Sequence, residues 1–390
     1  MNARKPVYLD HAATSPMRPE VWEAMSSVIG EADFNPASTH AFGRKAQSKL
    51  EEARGVLADA LGGDRGCMVF TGGGTLSDNL AVLGFARSCP EPPRLIVSSM
   101  EHKAVLESAR HCEANGSEVH YLPVDSCGVV NLDALESLLE KPSDRKTLVS
   151  VMWANNEVGA VQPLAQICEM AHEHGALCHT DAVQAFGKIP VSVQDVPVDM
   201  LTITAHKLGG PVGIGLLYVA DGVDLEPLAY GGSQERSLWP GTQNPTAATG
   251  FAVAARMAVE EMPSNAARWT QQRDRLGERI LSGIPEAEIH CAGTAHRLPH
   301  LLSMGIPGCD QAIVLTSLDM LGLAVSGGSA CSSGASRTSH VLKAMGLSED
   351  GDYTVLRFSQ GHDTSAEDID LAADLVLKVV GRRCEELLAG

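Results

Sequence analysis

The sequence predicts an α/β protein: a large domain with a mostly parallel sheet flanked by helices, plus a smaller α+β domain. Three observations carry this. Short apolar-rich runs alternate with amphipathic segments of about ten residues over roughly 16–262, as βαβ units require. Beyond that stretch the alternation is lost, and strands and helices follow in no fixed order, as in an α+β lobe. The length, 390 residues, suits two or three lobes at about 150 residues each. The expected division is 16–262 for the large domain and 1–15 with 263–390 for the small one.

The elements follow in order. Arg94–Ser98, Glu118–Leu122, Thr147–Met152, Ala176–His179 and Met200–Ala205 read as buried strands. Lys103–Glu113, Leu132–Leu139 and Leu164–His174 read as the helices between them. A long amphipathic helix is expected over Asn265–Leu281, then strands at Glu288–Ala292 and Leu298–Met304 and a helix near Gln311–Leu318. Strands Leu323–Ser326 and Val355–Ser359 and a last helix, Ala366–Arg382, complete the small domain.

Composition narrows the function. Lys plus Arg number 30 against 48 Asp plus Glu, a formal charge of −18. Such a surface repels phosphate backbones and anionic lipid, so neither nucleic acid nor membrane is the expected partner. The opening residues MNARKPVYLD hold no apolar run. The expectation is therefore a cytoplasmic protein whose ten cysteines remain thiols.

In open α/β sheets, sites gather beyond the carboxyl ends of the strands. Lys207 ends the apolar run MLTITAHK. A lysine there suits a Schiff base with a carbonyl cofactor, or is a snorkelling side chain. Phe70–Asn79, FTGGGTLSDN, puts three glycines before a helix start, which can hold one phosphate or simply cap a helix. Asp181, in HTDAVQAFGK, ends another strand with Gln184 three residues on. A buried carboxylate there needs a cationic partner, such as a protonated pyridine nitrogen, unless it caps the next helix. His102 and Asn156 also follow strands. Each has a plain structural explanation; their shared position after strands is harder to explain that way. Cys331 sits in the Gly/Ser-rich SGGSACSS, a setting that suits a nucleophile. Arg357 ends a small-domain strand and can pair with a carboxylate.

Taken together these segments resemble the pyridoxal-phosphate-dependent cysteine desulfurases of the NifS/IscS type. The resemblance runs from YLDHAAT (Tyr8–Thr14) to LRFSQG (Leu356–Gly361), with NPASTH, TGGGTLSDN, EHKAVL, NNEVG, HTDAVQAFGK, TAHK, GGSQER, PGTQN and GSACSSG between them in family order. It implies the fold-type-I aminotransferase architecture, a homodimer, L-cysteine as substrate and a sulfur-acceptor protein such as an iron–sulfur scaffold. It implies that Lys207 carries pyridoxal 5′-phosphate and that Asp181 pairs with the pyridine nitrogen. His102 would stack on the ring and assist proton transfer, with Asn156 and Gln184 on its phenolic oxygen side. Gly74, Thr75, Thr204 and His206 would hold the phosphate, and Thr242 would reach the phosphate of the partner subunit. Arg357 with Asn35 would bind the substrate carboxylate, and Cys331 would accept the sulfur. The sequence departs from the family at Leu76, where an acidic residue is more frequent, at Trp153 and at Trp239. Other readings are a selenocysteine lyase or another class V aminotransferase-family enzyme, a non-catalytic nucleotide-binding protein, and a metal carrier built on His172, His174, Cys178 and His179. No resident metal is expected.

Overall fold

The computed structural model describes residues 6–292, 294, 296–327, 339–347 and 353–388, with side chains to 381. Cys331 lies outside the described residues. The chain opens with strand β1 (Val7–Tyr8), helix α1 (Pro19–Val28) and helix α2 (Ala41–Leu61). Then come β2 (Met68–Thr71), α3 (Gly74–Ser88), β3 (Arg94–Ser98), α4 (Lys103–Ala114), β4 (Glu118–Leu122), α5 (Leu132–Leu139), β5 (Thr147–Ser150), α6 (Leu164–Glu173), β6 (Leu177–Asp181), β7 (Met200–Thr204) and β8 (Gly215–Val219). The remainder is α7 (Pro245–Gly283), β9 (Glu288–Ile289), β10 (Leu301–Pro307), α8 (Gln311–Met320), β11 (Leu323–Ala324), α9 (His340–Ala344), β12 (Tyr353–Ser359) and α10 (Ala366–Leu388).

Seven strands form the large sheet in the order β2-β8-β7-β6-β5-β3-β4. The pairs from β7 to β4 are parallel, and β8 runs antiparallel to both its neighbours. Successive side chains on a strand point to opposite faces, and both faces are apolar here. Leu95, Val97, Leu148, Met200 and Leu217 pack on one side with Leu80 and Phe85 of α3. Ile96, Val149, Leu201 and Leu216 pack on the other with α2, α6 and α7. Covered faces explain why these strands are continuous apolar runs and not alternating ones.

Two expectations need correction. Glu118–Leu122 was expected to be a buried strand, but β4 is the sheet edge: Glu118 and Tyr121 are exposed and only Leu122 is buried. Polar side chains on an edge discourage pairing with other chains. Asn265–Leu281 was expected as a helix of its own. It belongs to a single 39-residue helix, α7, that starts at Pro245 and runs through Pro263. The Ala-rich first half packs against α1 and α2, and the second half against α10. The expected division at 262/263 therefore falls inside a continuous helix. Strand β8 was not read from the sequence.

A second core forms around the sheet β12-β10-β9. Leu276 and Ile280 of α7 meet Leu302, Met304, Leu356 and Phe358, with α8 and α10 outside them. The N-terminal strand packs here: β1 pairs with β11, and Asp10 bridges to Ser359. Helix α10 starts with reciprocal bonds between Ser365 and Asp368, a capping box.

Candidate active site

A cavity of about 480 Å³ opens at the carboxyl ends of β2, β3, β5, β6 and β7. β3 and β5 are neighbours, and the connections that leave them, to β4 and to β6, run to opposite sides of the sheet; such a switch point is where α/β sheets bind ligands.

At one end of the cavity β2 turns into α3. Gly73 adopts φ +135° and no side chain caps the helix. The first N–H groups of a helix have no intrahelical acceptor, so Gly74 and Thr75 present donors to the cavity they line. The turn is sterically tight: a Cβ at Gly215 of the adjacent β8 would come within 2.6 Å of the Gly73 carbonyl carbon. Thr204, at the end of β7, gives its hydroxyl proton to the Ile214 carbonyl at 3.0 Å. His206 contacts the Thr14 hydroxyl at 3.0 Å, and burial beside Lys207 pushes its pKa down to about 4.

Lys207 follows in a short 3-10 turn, its Nζ donating to the Ala12 and Ala13 carbonyls at 2.6 Å each. Gln184 Nε2 donates to the same Ala12 carbonyl at 2.9 Å. The segment after β1 thus closes one wall.

The other end is acidic, and its acids are buried. Asp181 ends β6, is buried, and accepts the Val183 N–H at 2.9 Å. Burial raises its pKa, while His102 and Lys207 pull it back down. The helix-cap alternative for Asp181 is not taken up, because no helix begins there. His102 does cap one: its Nδ1 accepts the Ala104 N–H at 3.1 Å at the start of α4. Burial keeps His102 toward the neutral form. Glu101 is fully buried; Oε1 accepts the Met152 N–H at 2.6 Å, Oε2 has no partner, and burial raises its pKa strongly.

Asn156 and Arg357 form the wall toward the second core. Arg357 is buried, donating to the Asn156 carbonyl at 2.9 Å and to Asp10 at 2.7 Å, while its Nε has no partner.

Two expected residues lie elsewhere. Thr242 lines a smaller hollow of about 160 Å³ with Trp239, Gly241 and Phe70, which touches the main cavity only through Gly72 and Gly213. Asn35 is exposed and uses its side chain to accept the Ala37 N–H at 2.9 Å, away from the cavity. The four residues weighed for a metal carrier do not converge. His172 pairs with Asp199, His174 with the Met170 carbonyl and His179 with Ser150, and Cys178 contacts Cys168.

Residues 7–371 match the family model described as Aminotransferase class-V. This chain belongs to the class-V aminotransferase family. Enzymes of that family work with pyridoxal phosphate. The chain is 38% identical to "Cysteine desulfurase IscS" of Dictyoglomus turgidum, covering 97% of this chain and 95% of the relative. It is 40% identical to "IscS-like cysteine desulfurase" of Mycobacterium tuberculosis, covering 98% of each. A solved "NIFS-LIKE PROTEIN" superposes with a TM-score of 0.89 at 34% identity, covering 96% of this chain and 99% of that one. "SspA in complex with cysteine" gives 0.78 at 33%, covering 90% and 98%.

In this class-V aminotransferase fold two cavity residues, Asp78 and His340, escaped the sequence reading, while Glu157, in the strand-end run Asn155-Asn156-Glu157, lines the cavity with them. Asp78 is an acid on the buried side of α3, and the polar run Ser77-Asp78-Asn79 inside an apolar helix was a readable sign of it. Glu157 is buried and accepts the Ser339 hydroxyl. His340 begins α9, with Nε2 2.9 Å from the Glu101 carbonyl; nothing in its local sequence marks it.

Proposed function

We propose that this enzyme is a cysteine desulfurase that takes the sulfur of L-cysteine and releases L-alanine. The observation that carries the reading is the convergence of Lys207, Asp181, His102, Asn156 and Arg357 with the open start of α3 around one cavity. The fit to pyridoxal phosphate rests on the donor set. The uncapped α3 N-terminus offers Gly74 and Thr75 N–H groups to a phosphate, with His206 nearby and Thr204 as a shaping residue only. Asp181 offers a buried carboxylate to a protonated pyridine nitrogen, and Lys207 an amine to the aldehyde. When bound, the cofactor supplies an electron sink for the carbanion left when the Cα proton departs.

The chain's own residues do the rest. Arg357 holds the substrate carboxylate through its unpartnered Nε. The Lys207 amine takes the Cα proton. His102, held toward the neutral form by burial, would stack on the ring and assist proton transfer, and Asn156 and Gln184 would border the ring. Cys331, as thiolate, bonds to the substrate sulfur. The carbon–sulfur bond breaks and its electron pair stays with the three-carbon fragment, which is protonated to L-alanine while Cys331 keeps a persulfide. An acceptor protein, of iron–sulfur assembly or another thiolation route, then takes the sulfur. We further propose the domain division 16–262 and 1–15 with 263–390, a cytoplasmic location, and a homodimer in which Thr242 serves the partner's phosphate and Asn35 the substrate.

The test is Cys331→Ala. The variant should keep the spectral response to L-cysteine yet release almost no sulfide. Alanine formation at the wild-type rate would overturn the mechanism.

A further inference from the structure

The wall of the cavity contains a carboxyl beside Asp181, that of Asp78, which the reading above does not use. Asp78 lies in the second turn of α3 and is 1% exposed. Its side chain faces Asp181: the donor atoms of Asp78, Asp181 and His102 all lie within 4.8 Å of one another. The Thr202 hydroxyl of β7 is a further polar neighbour. Its Oδ1 is buried with no hydrogen-bond partner.

Among the described residues no cation pairs with it. His179 Nε2 is 3.7 Å from Oδ1, beyond hydrogen-bond range. His179 is itself buried between Ser150 and Thr202, and burial pushes its pKa down to about 3, so it is neutral. The β3–α4 turn contributes Glu101, another acid, and His102. Lys207 and His102 act on Asp181. Two carboxyls at this range, out of water, cannot both ionise cheaply; one proton between them turns repulsion into a hydrogen bond. The proton belongs on the carboxyl without cations. Burial and the Asp181 charge hold Asp78 well above the usual carboxylate range; burial raises Asp181 too, but Lys207, the Val183 N–H and a bond from Asp78 pull it back down.

We propose that Asp78 is a positioning residue that carries a proton and donates it in a hydrogen bond to Asp181, fixing the Asp181 carboxylate for the pyridine nitrogen. The proposal rests on the reading of Asp181 given above. Its substrate-independent consequence is a neutral carboxylic acid inside the protein at neutral pH, present before any cofactor arrives. An amide at position 78 can still donate, so Asp78→Asn replaces the function; Asp78→Ala removes it.

The experiment compares infrared spectra of wild-type and Asp78→Asn apoprotein at neutral pH, then measures pyridoxal phosphate binding to wild type and both variants. The wild type should show the carbonyl band of a protonated carboxylic acid that Asp78→Asn lacks. Asp78→Asn should bind the cofactor within about threefold of wild type, and Asp78→Ala about tenfold or more weakly, as expected for loss of a hydrogen bond to a charged group. No difference band, or Asn and Ala variants weakened alike, overturns the proposal. A divalent cation held by Asp78, His102 and Asp181 would also overturn it, because Asp78 would then be ionised and the band missing. Should Asp78→Ala fail to fold, the band and the affinity of Asp78→Asn decide alone. A wild-type protein that shows the band but takes up no cofactor would sink the functional reading and leave the proton on Asp78.

Discussion

The two ends of the cavity are built from different materials. The α3 end uses backbone: N–H groups of Gly74 and Thr75, on a turn that only glycine can make at Gly73. The Asp181 end uses ionisable side chains: three buried acids and a largely neutral histidine. A backbone donor has no pKa and survives most side-chain changes, so the first end should tolerate substitution and pH. The second end depends on where a few protons reside, and single substitutions there should be costly.

The largest effect should come from Asp181→Asn. Removing one preorganised electrostatic stabiliser costs about 10²–10³-fold in rate. Exchange of the L-cysteine or L-alanine Cα proton should fall by that order with the cofactor still bound; unchanged exchange would contradict the role of Asp181.

The backbone end has its own support, which makes the next prediction. Glu235 accepts the Phe70 N–H of β2 and pairs with Arg54 through two contacts of 2.8 Å, with both residues buried. Glu235→Ala leaves the Arg54 charge buried and should destabilise the fold by about 3–5 kcal/mol, read as a lower denaturant midpoint. A loss below about 1 kcal/mol would show that the turn does not depend on this pair.

The contrast in pH sensitivity gives the third. Asp78, Asp181 and Glu101 have folded pKa values above their ordinary ones. The stability they contribute is complete below about pH 4 and is lost as pH rises. His11 and His206, each pushed down to about 4 by burial, act oppositely: their contribution is present above about pH 6.5 and is lost as pH falls toward 4. Asp78→Asn removes one raised carboxyl. Between about pH 5 and about pH 8, its Tm should therefore decline less than that of the wild type; parallel curves would place an ionised Asp78 in the fold.

The smallest effect is expected at Thr75, which is exposed. Thr75→Ala leaves the N–H donors in place and removes one hydroxyl, worth about 0.5–1.5 kcal/mol, so cofactor affinity should drop by about tenfold or less. A collapse of binding would mean that side chains, not backbone, hold that end.

The same division explains what the sequence disclosed. Helix Leu132–Leu139 and strand Arg94–Ser98 were legible to the residue, because apolar period and turn signals are local. Lys207, Asp181 and His102 were legible as candidates because the chain places them just after strands, where the topology puts a cavity. Asp78 was not singled out: its significance depends on which face of α3 turns toward β6, a matter of packing. The partnering of Arg357 with Asp10, across 347 positions, has no local trace at all. Continuity of α7 through Pro263 went unread because one missing N–H is outweighed by packing along both halves. The family resemblance implied a phosphate-holding role for Thr204, whose hydroxyl proton goes to the Ile214 carbonyl.

The central claim is that Lys207 carries the cofactor at the meeting point of these two ends. Purified protein supplied with pyridoxal phosphate should turn yellow, and borohydride reduction followed by peptide mass mapping should find the cofactor fixed on Lys207. Reduction that labels another lysine, or a protein that gains no absorbance from the cofactor, would contradict the account.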